Sequence, residues 1–418
     1  MSEPKLEVVP LKPAVRSDLP TTLDVLLRMT PPLPESTGTR PPLNLGFVID
    51  RSGSMGEARK ITFAREAVAF AVRELAATDR VSVTIFDDVI ETLVPNQFAT
   101  DKDAICRLIE GIQPRNTTAL HGGWQEGGKQ VLSHKLSEGV NRVVLLSDGL
   151  ANVGESRPDK IADDVHKLAQ AGVSTTTLGL GDHYNEDLLE AMARSGDGSY
   201  YYVEGASQLP SIFRMEMQGL NATAGIGVTL FTEPASGVTV ADVLNDFDRH
   251  PDGGWKLPNL VGGMPVLVLV RLNVSAFTGN KDVLRFRLDW QSPKDDIRRS
   301  ATVSLTLPGV PSAVWNDLAE NREVKELATL LQAARNKKEA ARLMAMGERV
   351  ASAGMMSQTI AMFADLEQSP EVLRELEALD EVKRDLAAND AAKMGKRAKH
   401  QAYQRSSNKP YIPPADEK

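Results

Sequence analysis

From Leu43 onward, short apolar runs alternate with stretches of helical periodicity. Runs at 43–50, 80–86, 142–147 and 173–180 are rich in β-branched residues and read as strands buried on both faces. Helical spacing near 58–77, 101–112, 119–136 and 158–170 fills the intervals. Two more helices are expected near 186–195 and 206–219, separated by a strand over Ser199–Glu204, and Val89–Val94 reads as an antiparallel edge strand. Such alternation predicts a doubly wound α/β domain with a mostly parallel sheet covered on both faces.

On either side the period changes to two. Leu23, Val25, Leu27 and Met29 alternate with Thr22, Asp24 and Arg28, an earlier strand is expected within Lys5–Val9, and Pro31, Pro32, Pro34, Pro41 and Pro42 mark a linker. After residue 220, Leu284, Phe286, Leu288 and Trp290 alternate with charged neighbours, and Val303, Leu305 and Leu307 with hydroxyl side chains. Runs near 226–232, 238–245 and 264–275 add further strands. Early strands left alone would expose unpaired edges. Residues 5–30 are therefore expected to pair with residues 225–308, making one β-sandwich into which the α/β domain is inserted. The remainder is helical: Leu318, Val324, Leu327, Leu331 and Ala334 recur at helical spacing, as do Leu373, Leu376, Leu379, Val382 and Leu386. Gly347 and Gly354 interrupt that pattern and Pro370 opens the last helix. The expected organisation is 1–42 (first sandwich strands and linker), 43–219 (α/β domain), 220–310 (rest of the sandwich), 311–394 (helical region) and 395–418 (flexible tail).

The chemistry concentrates at strand ends. Asp50-Arg51-Ser52-Gly53-Ser54 follows the apolar run Leu45–Ile49, and Asp148-Gly149 follows Val143–Ser147. In an open parallel sheet, ligands bind beyond the carboxyl ends of the strands, where both aspartates would project if their strands are neighbours. Carboxylate and hydroxyl oxygens are the hard donors that magnesium, manganese or calcium prefers. A third loop, Arg115–Leu120, offers Thr117 or Thr118. Thr118 is favoured because it directly precedes Ala119-Leu120, which opens the next helix. A duller reading makes Asp50 and Ser52 caps of the helix near Ala58. Capping explains one loop but not the matched Thr118 and Asp148.

The order Asp50-x-Ser52-x-Ser54, Thr118, Asp148-Gly149 resembles the metal-ion-dependent adhesion site of von Willebrand factor type A domains, over roughly residues 43–219. The Ser-Gly-Ser-Met run, Ser52 to Met55, is common in bacterial members of that family. The resemblance implies that Ser52 and Ser54 coordinate a divalent cation directly, and that Asp50 and Asp148 act mostly through ordered waters. Thr118 would coordinate directly or through water according to state, and one position would stay open for a partner's carboxylate. Mg2+ is the expected ion, with Mn2+ or Ca2+ as alternatives. The expected function is a metal-dependent protein-interaction module. The alternatives are a self-assembly protein whose metal site is filled by another copy, for instance by Asp416 or Glu417, and a metal-assisted hydrolase.

Nearby residues extend the picture. Asp87 and Asp88 after the second strand, Glu155 after the fourth and Asp182 after the fifth would make an acidic rim. A single partner carboxylate in neutral or basic surroundings suits that rim better than a wholly acidic partner. Arg51 and His121 are candidates to orient it, beside a solvated or structural role for each. Gly123-x-x-x-x-Gly128-Lys129 nearly spells a phosphate-binding loop, but Gln130 stands where a hydroxyl should hold magnesium and no strand precedes it.

Composition narrows the class further. The 418 residues, 42% hydrophobic and 25% charged, suit two or three globular domains. The single cysteine, Cys106, permits no intrachain disulfide framework, and its helical surroundings suit a small buried side chain. The N-terminal residues lack the pattern of a secretory signal and no apolar run is long enough to span a bilayer, so a cytoplasmic protein is expected. A net charge of −8 argues against nucleic-acid binding, with the basic stretch Lys393, Lys396, Arg397, Lys399 and Arg405 read as a solvated tail. Gly53-Ser54-Met55-Gly56 is no nucleophile elbow. The six histidines have no zinc spacing. No enzymatic activity is expected.

Overall fold

A computed structural model describes residues 3–33, 40–115, 117–150, 153–181, 184–295 and 297–408. Pro34, Asp182, Asp416 and Glu417, each given a role above, lie outside the described residues. The chain divides into two compact units.

One unit, residues 40–223, 292–295 and 297 among those described, begins with β4, since three strands of the other unit precede it: β1 (Lys5–Pro10), β2 (Val15–Arg16) and β3 (Thr21–Thr30). Its elements are β4 (Leu43–Asp50), α1 (Lys60–Glu74), β5 (Arg80–Phe86), β6 (Ile90–Phe98), α2 (Lys102–Glu110) and α3 (Leu120–Leu132). Then come β7 (Val140–Ser147), α4 (Pro158–Gln170), β8 (Ser174–Leu180), α5 (Glu186–Ser195), β9 (Tyr200–Val203) and α6 (Leu209–Asn221). The six strands form one sheet in the order β6-β5-β4-β7-β8-β9, parallel except for the antiparallel β5–β6 pair.

Alternate residues of β4 explain how this sheet is covered. Leu43, Leu45, Phe47 and Ile49 enter the core shared with α1, α2 and α6, while Gly46 and Val48 face α3. Helix α3 comes unusually close, because a Cβ at Gly123 would strike Phe86 and one at Gly127 would strike Val48. Packing accounts for both glycines that imitate a phosphate-binding loop, since Gly123 meets Phe86 of the sheet and a Cβ at Gly128 would strike Leu168 of α4. The chain leaves β4 on one side of the sheet and β7 returns on the other, so β4 and β7 flank the point where strand order reverses. Polar residues at their carboxyl ends meet there.

The second unit contains β10 (Thr223–Pro234), β11 (Val238–Val243), β12 (Trp255–Lys256), β13 (Leu260–Val261), β14 (Val266–Val274), β15 (Gly279–Gln291) and β16 (Arg298–Val310). The N-terminal strands join them: β3 pairs with β14 over nine residues from Thr21↔Val274 to Met29↔Val266, and β2 pairs with β16. The two sheets, β1-β3-β14-β11 and β12-β10-β15-β16-β2 with β13 on β10, share one core. Leu23, Val25 and Leu27 reach it from one sheet, Leu230, Phe286 and Leu288 from the other. On the outer face of the first sheet, Leu26 and Leu269 meet Val324, Leu327 and Leu331 of α8.

Helices α7 (Ser312–Asp317), α8 (Arg322–Ala345), α9 (Arg349–Ala361), α10 (Pro370–Ala387) and α11 (Ala391–Ser406) complete this unit. Gly347 takes a left-handed conformation (φ 83°) between α8 and α9, whereas Gly354 lies inside α9. The expectation of a flexible tail from residue 395 is corrected: α11 runs through Ser406, and α10 is not the last helix. Asp390 caps α11 by accepting from the Lys393 amide at 2.9 Å. Two of the basic residues read as solvated, Lys396 and Arg397, are buried. Among the described residues no helix is long and apolar enough to cross a membrane.

Candidate metal centre

The end of β4 delivers Asp50 fully buried, and the end of the neighbouring β7 delivers Asp148, also fully buried. Each carboxylate is held by hydroxyls. Ser147 donates to Asp50 Oδ2 at 2.6 Å and the Ser52 amide to Asp50 Oδ1 at 2.8 Å. Ser54 donates to Asp148 Oδ1 at 2.7 Å, and the hydroxyls of Ser52 and Ser54 lie 3.2 Å apart. Thr118 is buried and Thr117 is exposed. A Cβ at Gly149 would come within 2.9 Å of Thr118 Oγ1 and 3.5 Å of Asp50 Oδ2, so Thr118 shares this pocket and only glycine fits beside it. The structure thus brings Asp50, Ser52, Ser54, Thr118 and Asp148 together from three loops.

Two further participants, Ser147 and Lys60, stand outside the sequence motif. Ser147 sits one residue before Asp148 and turns to the opposite neighbour, Asp50. Lys60 places its ammonium 2.6 Å from Asp148 Oδ2 and is itself buried. The helix expected near 58 starts only at Lys60, because Ala58 (φ 47°) and Arg59 (φ 58°) both adopt left-handed backbone conformations. That turn puts Lys60 in the first turn of α1. A cation there opposes the helix dipole, and Asp148 offsets the conflict. The only sequence signal was a lysine just past the serine-rich loop.

The electrostatics are those of an under-neutralised site. Burial pushes the Asp50 carboxyl up to about 6, hydrogen bonds from Ser147 and Ser52 oppose that rise, and the Asp148 charge adds to it. Two carboxylates face one ammonium. The donor set is hard oxygen throughout, which fits a small divalent cation, although the Lys60 ammonium already rests on Asp148.

The surrounding acids and bases differ from expectation. Asp87 is not a rim residue: it is buried, pairs with Arg51 (3.1 Å) and Arg115, and accepts from the Val89 amide at 2.7 Å. Burial raises its pKa, but the Arg115 hydrogen bond and Arg51 charge outweigh burial and leave it lowered. Arg51 pairs with Asp87 and Glu91, and His121 Nε2 lies 3.3 Å from Asp164, contacts that favour the structural role for each. Asp88 is exposed and Glu155 half-buried, the latter lowered to about 2 by its Arg157 hydrogen bond.

Residues 44–215 match the von Willebrand factor type A domain family model. The chain carries a type A domain. Among relatives, the uncharacterised protein YfbK of Escherichia coli K12 is 28% identical over 184 residues, 44% of this chain and 32% of that protein. The uncharacterised protein sll0103 of Synechocystis is 32% identical over 194 residues, covering 46% and 44%. The matched part of this chain thus spans under half the length of these curated relatives. A solved von Willebrand factor type A protein from Catenulispora acidiphila aligns over 96% of both chains with a TM-score of 0.74 at 15% identity, a likeness of fold. Type A domains are typically interaction modules rather than enzymes.

Proposed function

We propose that the type A domain, carried as an insert in the β-sandwich frame, binds a divalent cation and uses it to recognise an aspartate or glutamate of a partner protein. The observation that carries this reading is the convergence of Asp50, Ser52, Ser54, Thr118 and Asp148 on one buried pocket whose negative charge Lys60 only half neutralises. Ser52, Ser54 and Thr118 would hold the ion through neutral oxygens, with Asp50 and Asp148 supplying charge. Mg2+ is the first choice, with Mn2+ or Ca2+ as alternatives. A bound dication in so weakly anionic a donor set offers an electrophilic position to an incoming carboxylate. Around that position, this chain's residues do the orienting: Ser147 and the Ser52 amide fix Asp50, and Ser54 fixes Asp148. Exposed Asp88 and half-buried Glu155 disfavour a strongly acidic partner surface.

The test is a calorimetric Mg2+ titration of wild type and Asp50→Ala, followed by affinity capture with each protein in magnesium and in chelator. Wild type should bind the ion, Asp50→Ala should not, and a partner should be retained only by wild type in magnesium. Equal ion binding, or equal capture in all four conditions, overturns the reading. Mass measured with and without chelator identifies the case in which the partner is a second copy.

A further inference from the structure

The helical region of the other unit contains a cleft of about 280 Å³, well away in sequence from the loops of the type A site. Its floor is made of Lys337, Glu375, Ala378, Gln401 and Gln404, all buried, and its rim carries Arg374 and Arg405. A buried floor of polar and charged side chains is costly unless each group is answered.

Most of these groups are answered within the protein. Lys337 is wholly inaccessible to solvent, lies 2.6 Å from Glu375 Oε1, and donates to Gln401 Oε1 at 3.2 Å. Arg405 reaches Glu375 at 3.3 Å and Glu371 at 3.1 Å, and Arg374 holds Glu371 at 2.9 Å. Two things remain unanswered. Among the residues that line the cleft, three cations face two carboxylates, the next carboxylate, Glu381, lying beyond Gln401 and held by Arg397. Gln404, only 4% exposed, lines the cleft with an Nε2 that has no hydrogen-bond partner among the described residues. A surplus cation and an idle donor in one cleft ask for an acceptor that carries negative charge.

We infer that this cleft binds a small organic anion headed by a carboxylate or a phosphate, with Arg405 and Gln404 meeting its acid group. Arg405 suits that role because a planar guanidinium presents paired donors to an oxyanion. The volume matches about nine water molecules at roughly 30 Å³ each, so the ligand has on the order of ten non-hydrogen atoms. Ala378 and the aliphatic stem of Lys337 provide the apolar contact.

The experiment is calorimetry on the full chain in excess chelator, so that an acid binding at the type A site through a metal is not measured. The probes are succinate, glycerol 3-phosphate and the uncharged succinamide. At least one acid should bind, and succinamide should bind at least tenfold more weakly. The tighter acid distinguishes carboxylate from phosphate. Arg405→Gln should weaken that acid about tenfold, equivalent to roughly 1.4 kcal/mol. Ala378→Met, which fills the floor, should abolish binding. If Arg405→Gln does not fold, Gln404→Leu, which removes only the donor, carries the same comparison. Failure of both acids to bind, or binding unchanged in the variants, overturns the inference.

Discussion

Arg397 in the helical bundle and Asp50 in the type A domain are both buried and charged, yet their surroundings treat them in opposite ways. Arg397 donates to Asp385 Oδ2 at 2.7 Å and to Glu381 Oε2 at 3.1 Å, and Gln401 adds a bond to Glu381 at 2.9 Å. Opposite charges meet there at hydrogen-bond distance. Asp50 has hydroxyl and amide donors but, among the described residues, no paired cation, and its neighbour Asp148 carries the same sign. The first arrangement is complete within the fold and serves to position α11 against α10. The second stores unfavourable electrostatics, which a fold tolerates where something else supplies the missing charge. Burial of charge alone does not mark a functional site; burial without a counter-charge does.

Substitutions at the two positions should therefore change stability with opposite sign. Arg397→Met removes one cation and leaves two buried carboxylates, so it should destabilise the protein by about 3–5 kcal/mol in chemical denaturation. An unaltered midpoint would mean that the bundle's ion pairs are replaceable by packing. Asp50→Asn keeps the shape and most of the hydrogen bonding but removes the charge. Its folded pKa, about 6, lies above the ordinary 3.8. Above pH 6 the ionised group therefore costs stability, and the cost shrinks as pH falls through 6 and vanishes below about 4. A rise of up to about 3 kcal/mol is expected for Asp50→Asn at pH 7.5 without metal. The gain should fade at pH 4.5. A loss of stability at pH 7.5 would show that Asp50 is a structural anchor, and the contrast with Arg397 would fail.

How far each site is legible in the sequence follows the same division. Asp50 and Asp148 were legible because an apolar parallel strand that ends in a carboxylate announces a sheet-end site. Ser52 and Ser54 share that loop, and Thr118 was placed by the helix that starts at Leu120. Lys60 was not legible. It reaches Asp148 only because Ala58 and Arg59 turn left-handed, and neither residue type advertises that conformation. The strand end of Asp87 is legible and its burial is not, since the Arg51 and Arg115 that pair with it come from two other loops. The basic stretch around Arg397 looks solvated in the sequence because helical periodicity shows in apolar residues, and part of the buried face of α11 is charged. A charged inner face becomes visible only with its partners, Glu381 and Asp385 on α10. The alternating strands were easier: Leu23, Val25 and Leu27 against Leu26 separate the two faces of β3 as the period of two requires.

Lys60 gives the smallest expected effect and the sharpest comparison. Among the described residues its ammonium is the one cation paired with the buried carboxylates, so it does for Asp148 part of what Glu381 and Asp385 do for Arg397. If it is a complete structural partner, Lys60→Met should lower the unfolding midpoint and leave Mg2+ affinity unchanged. If the pocket is shaped for a dication, the ammonium opposes entry of that ion, and its removal should tighten binding. A unit charge a few ångströms from a dication is worth on the order of 1–2 kcal/mol even at water-like screening, which corresponds to about tenfold in affinity. Calorimetric Mg2+ titration of Lys60→Met and Lys60→Arg separates the two. Tighter binding in Met with near-native affinity in Arg assigns the effect to charge. Weaker binding in both variants would mean that Lys60 holds the loop itself in place, and that Asp148, like Arg397, is already satisfied by the fold.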